Sequence, residues 1–342
     1  MDSPKHILVI RLSAMGDVAM SAPIIKSLVE QNPLVKITVL TRGFFKPFFE
    51  DIPNVRVVIP DLKGGHKGFF GLVKLYKELS KQSFDAVADL HNVLRSKVLV
   101  GLFRLSGVRC VQLDKGRSEK KQLTTLKVKK LHQLPSMHER YAKVFRKLGF
   151  KIELGTGFKE KAEITNEFRE VFKDKKLVGF APFAAFKGKS FSVEKTKELL
   201  KELSVVEQTT VLLFGGGGKE KAILEEIAAD YENVISMVGK ISFVKELEII
   251  SNLDTMIAMD SGNGHLAAMY GVPVITVWGV THPCLGFVPY NQPKENQILP
   301  DLERFPLVPT SVYGNKSPEN YLDCIASIDS KNLVKRVRLI LT

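Results

Sequence analysis

The chain has 342 residues, of which 44% are hydrophobic and 25% are charged, and its formal net charge is +13. This length predicts two domains that each bury a core, and the composition is typical of a soluble globular protein. No apolar run approaches the roughly 18 residues of a membrane-spanning helix, the N-terminal segment shows no signal-peptide pattern, and three scattered cysteines (Cys110, Cys284 and Cys324) predict reduced thiols in a cytoplasmic protein.

The positive charge fits three classes of protein: a nucleic-acid binder, a protein that rests on an anionic membrane, and an enzyme with a phosphorylated substrate. The sequence has no helix-turn-helix, RNP-type or zinc-finger pattern, which argues against nucleic acid. No CxxC or His-rich cluster predicts a metal site. The densest basic segment, residues 115–130, is either a solvated loop or part of a binding surface.

Strand-like and helix-like segments alternate from the start of the chain, which predicts a doubly wound α/β fold with parallel sheets. The polar segment 114–135 has no clear periodicity and predicts a long loop. In the first half, the predicted strands are residues 6–12, 35–41, 55–59, 85–89 and 108–113, and the predicted helices are 18–30, 43–50, 69–81, 94–105 and 136–148.

The same alternation restarts after a crossing segment at residues 150–174, while residues 290–321 are polar and irregular. We therefore predict an N-terminal domain at 1–155, a C-terminal domain at 156–325, and a final helix within 326–342 that packs back towards the N-terminal domain. The predicted strands here are residues 177–181, 209–214, 234–237, 255–259 and 273–278, and the helices are 193–203, 219–231, 243–252, 262–270 and 330–341.

Ligands of such folds bind at the carboxyl ends of the strands, so two sheets joined in the middle predict a cleft between two Rossmann-like domains. The first βα turn reads RLSAMGDV at residues 11–18, where Ser13, Ala14 and Gly16 keep the loop narrow. Asp17 at this position either accepts a proton from a hydroxyl nucleophile or caps the helix that follows.

A second turn, FGGGGKE at residues 214–220, also joins a strand to a helix. It is not a P-loop, because Lys219 is followed by Glu220 rather than by Ser or Thr, and the first turn lacks the GxGxxG of a dinucleotide site. The run either cradles part of a nucleotide, with Glu220 accepting hydrogen bonds from ribose hydroxyls, or is a plain tight turn.

Two lysines, Lys187 and Lys189, lie in a small-residue loop between a strand and a helix. Either could neutralise a diphosphate leaving group, or be solvent-exposed as most lysines are. The chain contains no Asp-x-Asp triplet, which argues against a diphosphate held through a divalent metal.

The segment DSGNGHLAAMYGVPVITVWGVTHP, residues 260–283, follows a buried strand and starts a helix near Gly262. Its small residues and free backbone N–H groups suit a phosphate or diphosphate. The alternative is an ordinary helix capped by Asp260 and Ser261. His265 either hydrogen-bonds the sugar or a phosphate, or holds the loop from within the helix.

Several motifs together resemble those of family 9 glycosyltransferases, the bacterial ADP-heptose:lipopolysaccharide heptosyltransferases. They are ILVIRLSAMGDVAMSAP near the N-terminus, FDAVADLHNVLRSKVL and HERYAKVFRKLG in the middle, and MDSGNGHLAAMYGVPVITVWGVTHP near the C-terminus. The resemblance covers nearly the full chain with the motifs in the family's order. It implies a GT-B fold, and metal-independent, inverting transfer of heptose from ADP-L-glycero-D-manno-heptose to the inner core of lipopolysaccharide.

The resemblance also implies roles for particular residues. Asp17 matches the family's catalytic base and Lys189 its phosphate-binding lysine, with Lys187 beside it as a further donor-side cation. Glu220 falls near the ribose-contacting glutamate, and Ile241 matches a position that contacts adenine through its backbone. The remaining donor-site positions are Asp260, Ser261, Gly262, Asn263, Gly264 and His265, and the acceptor-side positions are Ser13, Gly16, His91, Asn92, Arg95 and Ser96.

The chain departs from the family pattern at Ser261, which replaces a threonine, at Phe191-Ser192, which replaces Trp-Pro, and over residues 294–318, which do not align. The leading hypothesis is a transferase without a cofactor that acts at the inner face of the cytoplasmic membrane, where its positive charge meets anionic lipid. The alternatives are a sugar-nucleotide epimerase of GT-B type and a non-catalytic protein that binds anionic ligands or membranes. Asp17 and Lys189 together favour an enzyme, because a protein that only binds a ligand does not need a general base opposite a diphosphate site.

Overall fold

A computed structural model describes residues 5–125 and 130–342. Part of the basic segment 115–130, namely residues 126–129, therefore lies outside the described residues. The chain forms two compact units, the first from Met1–Lys115 and Met137–Lys159 and the second from Gly116–Ser136 and Glu160–Thr342. We call these the N-terminal and the C-terminal unit.

The secondary structure alternates between strands and helices in both units. The strands are β1 His6–Ile10, β2 Lys36–Leu40, β3 Val55–Val58, β4 Ala86–Asp89, β5 Arg109–Gln112, β6 Lys176–Ala181, β7 Thr209–Leu213, β8 Val234–Ser236, β9 Thr255–Met259, β10 Val274–Val277 and β11 Gln297–Ile298. The helices are α1 Met15–Ala19, α2 Ala22–Gln31, α3 Gly68–Ser80, α4 Leu94–Leu105, α5 Arg117–Leu123, α6 Met137–Lys147, α7 Asn166–Phe172, α8 Val193–Leu203, α9 Lys219–Ala228, α10 Phe243–Ser251, α11 Gly262–Met269 and α12 Ser330–Leu341. Short 3-10 helices occur at Gly43–Phe48, Lys187–Lys189, Pro283–Leu285, Lys294–Asn296, Glu319–Tyr321 and Cys324–Ser327.

The sheet of the N-terminal unit is parallel, with strand order β3-β2-β1-β4-β5. Its central strand β1 is apolar on both faces, because helices cover both sides of a parallel sheet. Successive strands are added on one side of β1 up to β3 and on its other side from β4 onwards. The loops after β1 and β4 are therefore neighbours at the carboxyl edge of the sheet. This edge is where doubly wound folds bind ligands.

The sheet of the C-terminal unit has the order β11-β10-β9-β6-β7-β8 and is also parallel. Here the order reverses between β9 and β6, so the loops after these two strands lie side by side. The two parallel sheets confirm the predicted α/β class.

The helix predicted at residues 18–30 is wrong, because the structure contains two helices there, α1 and α2. The helical structure is interrupted at Ser21, whose hydroxyl donates to the carbonyl of Val18 at 2.7 Å. Pro23 is the second residue of α2. Proline lacks an N–H and suits a first turn but not a helix interior, so a new helix begins at this position.

The grouping of residues differs from the predicted domains, beginning with the end of the N-terminal unit, which lies at Lys159 rather than at residue 155. Segment 116–136 belongs to the C-terminal unit, since Leu123 and Leu134 pack against Leu285. It contains α5, so the long loop predicted at 114–135 is only partly irregular. The predicted packing of the final helix towards the N-terminal domain is wrong, because α12 packs on α8 and its buried face joins the core of the C-terminal unit through Leu333 and Val337.

None of the helices in the described residues combines the length and the apolarity that crossing a bilayer demands. Cys110, Cys284 and Cys324 form no disulfide in the described residues, and burial raises the pKa of Cys110 to about 11 and that of Cys324 to about 12.

Candidate active site

Asp17 lies in the first turn of α1, at the carboxyl edge of the N-terminal sheet, with its carboxylate partly exposed. The guanidinium of Arg11 is buried, forms an ion pair with this carboxylate and donates to the carbonyl of Leu90. The N-cap of α1 is Ala14, so Asp17 does not cap the helix. The geometry therefore gives the carboxylate a fixed orientation and an open face.

Tyr141 supports the same site from α6. Its hydroxyl donates to the backbone carbonyl of Asp17 at 3.3 Å, and the centre of its ring lies 5.8 Å from the Arg11 guanidinium carbon. Tyr141 is fully buried, and burial raises the pKa of its phenol well above the usual range. The phenol therefore stays protonated and serves as a fixed hydrogen-bond donor.

The predicted acceptor-side loop after β4 is built around Asp89, which is completely buried. Its carboxylate accepts hydrogen bonds from the backbone N–H of His91 at 3.0 Å and of Asn92 at 2.8 Å. It also accepts from the Ser96 hydroxyl at 3.0 Å and from the Gln112 amide at 2.9 Å. Asp89 is not among the predicted site residues, although an aspartate that closes a buried strand is a signal of such a loop.

His91 faces the loop that carries Asp17. Its Nε2 lies 3.5 Å from the hydroxyl of Ser13, and its Nδ1 is buried with no partner among the residues that the structure describes. Burial, together with the positive charges of Arg11 and Lys115, lowers the pKa of His91 from 6.5 to about 4. The imidazole is therefore neutral at physiological pH.

This pKa predicts how stability depends on pH. Unfolded His91 binds a proton below pH 6.5 but the folded side chain does so only near pH 4, so its contribution to stability falls as the pH falls between these values. We expect wild type to lose about 2 kcal/mol more unfolding free energy than His91→Gln between pH 7 and pH 5. Urea unfolding at both pH values measures this, and parallel curves for the two proteins would contradict it.

The other two predicted acceptor-side residues lie apart from this network. Gly16 is in α1 beside Asp17, where it is half-buried. Arg95 is exposed in the first turn of α4, and its side chain makes no hydrogen bond or ion pair with the described residues. The structure thus brings Ser13, His91 and Asn92 together and leaves Arg95 at the surface.

In the C-terminal unit, the loops after β6 and β9 bring Lys189 to Asp260. The ammonium group donates to the carbonyl oxygen of Asp260 at 2.7 Å and lies 3.2 Å from its carboxylate oxygen Oδ2. The same Oδ2 accepts from the buried hydroxyl of Thr281 at 2.8 Å. An ammonium group has three donors, so one N–H of Lys189 remains for a ligand.

The structure separates the two lysines that the sequence analysis could not distinguish. The side chain of Lys189 is 12% exposed, whereas that of Lys187 is 70% exposed and pairs with Asp323 at 3.3 Å on the surface. Only Lys189 is therefore held at the strand edge.

The segment that did not align with the family pattern, residues 294–318, packs around the Lys189 loop. Val280 connects them: its N–H donates to Gly188 at 2.9 Å, and its carbonyl accepts from Thr310 at 2.9 Å. Gly314 lies directly against the aliphatic stem of Lys189, where a Cβ would be 2.8 Å from the side chain. This irregular segment thus fixes the position of the lysine.

Close packing at Gly279 gives a second prediction. A Cβ at Gly279 would lie 2.0 Å from the carbonyl oxygen of Gly188, so Gly279→Ala must push the Lys189 loop outwards. We expect a loss of about 1–3 kcal/mol in the free energy of unfolding. Gly217→Ala is the matched control, because a Cβ there meets nothing within 4 Å. Equal melting temperatures for the two variants would refute this packing argument.

Helix α11 starts directly after Asp260, with Ser261 as its N-cap residue. The Ser261 hydroxyl is buried and makes no hydrogen bond with the described residues, and the first-turn N–H groups of Gly262 and Asn263 have no intrahelical partner. Gly264 lets the helix approach the sheet, since a Cβ there would touch Ala258 at 3.4 Å. These donors point to an anion-binding site.

His265, also predicted on the donor side, is buried within α11 one turn further on.

The glycine run after β7 is folded around Glu220. The backbone N–H of Gly216 donates to the Glu220 carboxylate at 2.6 Å, and a Cβ at Gly215 would lie 2.9 Å from the same oxygen. Ile241 is half-buried just before Ser242, whose hydroxyl caps α10 by accepting from Lys245 at 3.4 Å. Both predicted nucleotide-side residues therefore lie where a strand or turn meets a helix.

No group of three or more His, Cys, Asp or Glu side chains within residues 5–125 and 130–342 is arranged to hold a metal ion. The charged groups at the two strand edges are instead the Arg11–Asp17 pair in one unit and the Lys189–Asp260 pair in the other.

Comparison with known proteins identifies the family. The sequence model of "Glycosyltransferase family 9 (heptosyltransferase)" matches residues 72–307. The chain is 23% identical over 300 residues to the lipopolysaccharide core heptosyltransferase OpsX of Haemophilus influenzae, covering 85% of this chain and 83% of that protein.

Solved structures share the fold. The family 9 glycosyltransferase of Veillonella parvula superposes with a TM-score of 0.74 at 20% identity, over 98% of this chain and 97% of that chain. Heptosyltransferase WaaC of Escherichia coli with ADP gives a TM-score of 0.69 at 20% identity, over 98% and 99% of the respective chains. These likenesses confirm the predicted GT-B fold, and the family match covers most of the sequence. The chain belongs to glycosyltransferase family 9 and is a glycosyltransferase.

Proposed function

We propose that this enzyme transfers heptose from ADP-L-glycero-D-manno-heptose to the inner core of lipopolysaccharide, with inversion at the anomeric carbon. The names of its relatives support the reaction, since OpsX is a lipopolysaccharide core heptosyltransferase and WaaC was solved with ADP. The observation that carries the proposal is the Asp17 carboxylate, oriented by Arg11 and Tyr141 and open on one face at the strand edge.

In this mechanism, Asp17 is the general base. Its carboxylate takes the proton of an acceptor hydroxyl, and the hydroxyl oxygen attacks the anomeric carbon of the donor. The bond between that carbon and the diphosphate oxygen breaks, and ADP leaves with the electron pair. Neutral His91 and the nearby Ser13 and Asn92 are then placed to bind acceptor hydroxyls, with Gly16 leaving room for them.

The leaving diphosphate needs positive charge and N–H donors, which the C-terminal unit offers. Lys189 has one N–H to spare, and the backbone N–H groups of Ser261 to Gly264 start α11 beside it. Glu220 is assigned to the ribose, the backbone of Ile241 to adenine, and His265 to the sugar or a phosphate. No metal or other cofactor takes part in this scheme.

The acceptor is proposed to be lipid A-linked core oligosaccharide at the cytoplasmic face of the inner membrane. The formal charge of +13 supports this, since anionic lipid and phosphorylated core sugars attract a basic protein. Exposed Arg95 fits an outer contact with an anionic acceptor better than a place in the reaction centre.

Release of ADP tests the proposed function directly. We expect ADP from ADP-heptose only when a heptose-deficient lipid A–Kdo acceptor is present, and little release of UDP or GDP when UDP- or GDP-linked sugars replace this donor. Conversion of the donor without any acceptor would indicate an epimerase instead. Binding of the donor without ADP release on any core acceptor would overturn the assignment of donor sugar and acceptor.

A further inference from the structure

Two adjacent phenylalanines are exposed at the carboxyl edge of the N-terminal sheet. Phe69 is 60% and Phe70 is 86% exposed, and both lie in the first turn of α3, directly after the loop that follows β3. Ile59, at the end of β3, and Phe44, in the 3-10 helix after β2, are also exposed at this corner of the sheet. A soluble protein rarely leaves neighbouring large apolar side chains in water unless they serve an interaction.

The loop that carries these phenylalanines is held firmly. His66 is buried, accepts from the backbone N–H of Asp61 through Nδ1 at 2.9 Å, and pairs with Glu78 of α3 through Nε2 at 3.0 Å. The Asp61 carboxylate in turn accepts from Gly64 and Gly65, at 2.9 and 2.8 Å. Phe69 and Phe70 are therefore exposed next to a loop that is fixed by hydrogen bonds.

The same segment is strongly basic. Residues 61–77 contain four lysines and one acidic residue, Asp61. Hydrogen bonds from the backbone N–H groups of Gly65 and Gly64 lower the pKa of Asp61, and they turn its charge towards the loop. Lys63 and Lys67 precede the phenylalanines in sequence and are exposed. Aromatic side chains beside lysines are typical of surfaces that lie at a membrane interface.

We propose that this surface, formed by Phe44, Ile59, Lys63, Lys67, Phe69 and Phe70, docks the N-terminal unit on an anionic lipid bilayer. Phe69 and Phe70 enter the boundary between headgroups and acyl chains, and the lysines contact anionic headgroups. The charge argues for a bilayer over a second copy of the chain, because two such surfaces would place lysines against lysines. The inference does not depend on which sugar is transferred.

This surface lies on the same edge of the sheet as Asp17, since β3 and β1 are parallel and both run towards it. A unit docked in this way would hold its proposed base close to the membrane surface. An acceptor anchored in that membrane could then reach Asp17 without leaving the bilayer.

Sedimentation with lipid vesicles tests the proposal without any substrate. We expect the wild type to bind vesicles of phosphatidylcholine with phosphatidylglycerol, and to bind phosphatidylcholine vesicles at least about tenfold more weakly. Phe69→Ser/Phe70→Ser should weaken binding to the anionic vesicles by about tenfold or more. Lys63→Gln/Lys67→Gln should abolish most of the preference for anionic lipid.

The matched control is Leu34→Ser/Leu105→Ser, which removes two apolar side chains that are 88% and 87% exposed at the opposite edge of the same sheet. This variant should bind like the wild type, and all variants should keep wild-type activity on a water-soluble, deacylated acceptor. That activity separates failure of the docking surface from failure of the proposed function.

The proposal is overturned if the wild type does not bind anionic vesicles, or if the phenylalanine variant binds these vesicles as tightly as the leucine control does. It is also overturned if the wild type is a dimer in gel filtration and the phenylalanine substitutions dissociate this dimer. In that case the surface binds a second copy of the chain and not a bilayer.

Discussion

Asp17→Asn is expected to lower the kcat of sugar transfer by about 10²–10⁴-fold, the usual contribution of a general base. Asparagine has nearly the shape of aspartate but cannot take the proton of the acceptor hydroxyl. Binding of the donor should persist, because the proposed diphosphate contacts are made by other residues. Steady-state kinetics of ADP release, together with calorimetric titration of ADP-heptose, give the two quantities.

A control is needed because Asp17 also pairs with the buried guanidinium of Arg11. Thermal unfolding will show whether Asp17→Asn is folded at the assay temperature. Asp85→Asn is the matched variant: Asp85 also lies in the N-terminal unit, but it accepts from the N–H groups of Lys5 and His6 at the start of β1. Asp85→Asn should keep its activity. A folded Asp17→Asn with near wild-type kcat would remove Asp17 as the base.

The second large effect is expected for Lys189→Met, which keeps the aliphatic stem that packs on Gly314 but removes the charge. Loss of one preorganised donor to a developing charge typically costs about 10²–10³-fold in kcat. The affinity for ADP should fall as well, because the lysine is assigned to the diphosphate in the ground state too. Kinetics and ADP titration measure both effects.

Lys187→Met is the control for this variant, since Lys187 lies two residues earlier in the same loop and pairs with Asp323 at the surface. It should change kcat by less than about twofold, as exposed ion pairs contribute little. Lys189→Met should also lower the free energy of unfolding, because it removes the ammonium group that pairs with the buried Asp260 carboxylate. Among the described residues, only the Thr281 side chain then still binds that carboxylate. Equal kinetics for the two lysine variants would contradict the assignment of Lys189.

Local sequence patterns predict most of this fold. Helices α8 and α12 have the predicted bounds, and the βα alternation correctly predicts two parallel sheets. One failure has a local cause and the other comes from tertiary packing. The helix predicted at 18–30 breaks before Pro23, and α5 forms in a stretch without periodicity because Leu123 finds apolar partners near Leu285.

Some residues of the candidate site carry a signal in the local sequence. Asp17, Lys189 and Asp260 stand out because each follows a buried strand. Asp89 closes a buried strand and is recognisable on that ground, whereas Arg11 and Tyr141 carry no local signal of their own. Tyr141 binds the carbonyl of Asp17, 124 residues away in sequence, and Arg11 binds that of Leu90, 79 residues away, so only the folded chain brings these groups together.

The contrast between Lys187 and Lys189 has the same cause. Two lysines in one loop look equivalent in the sequence, and the choice between them is made by Gly314 and Asp260, which come from distant segments. The exposure of Phe69 and Phe70 was likewise not predictable, because a helix with apolar residues is usually assumed to bury them.

The stereochemistry of the product tests the central claim most directly. If Asp17 deprotonates the acceptor hydroxyl for a single in-line displacement, the new glycosidic bond must have the anomeric configuration opposite to that of the donor. NMR spectroscopy of the product from ADP-heptose and a core acceptor will show the configuration. Inversion is the result that we predict. Retention, or a heptosyl group trapped covalently on the enzyme, would contradict the direct displacement and the role of Asp17 in it.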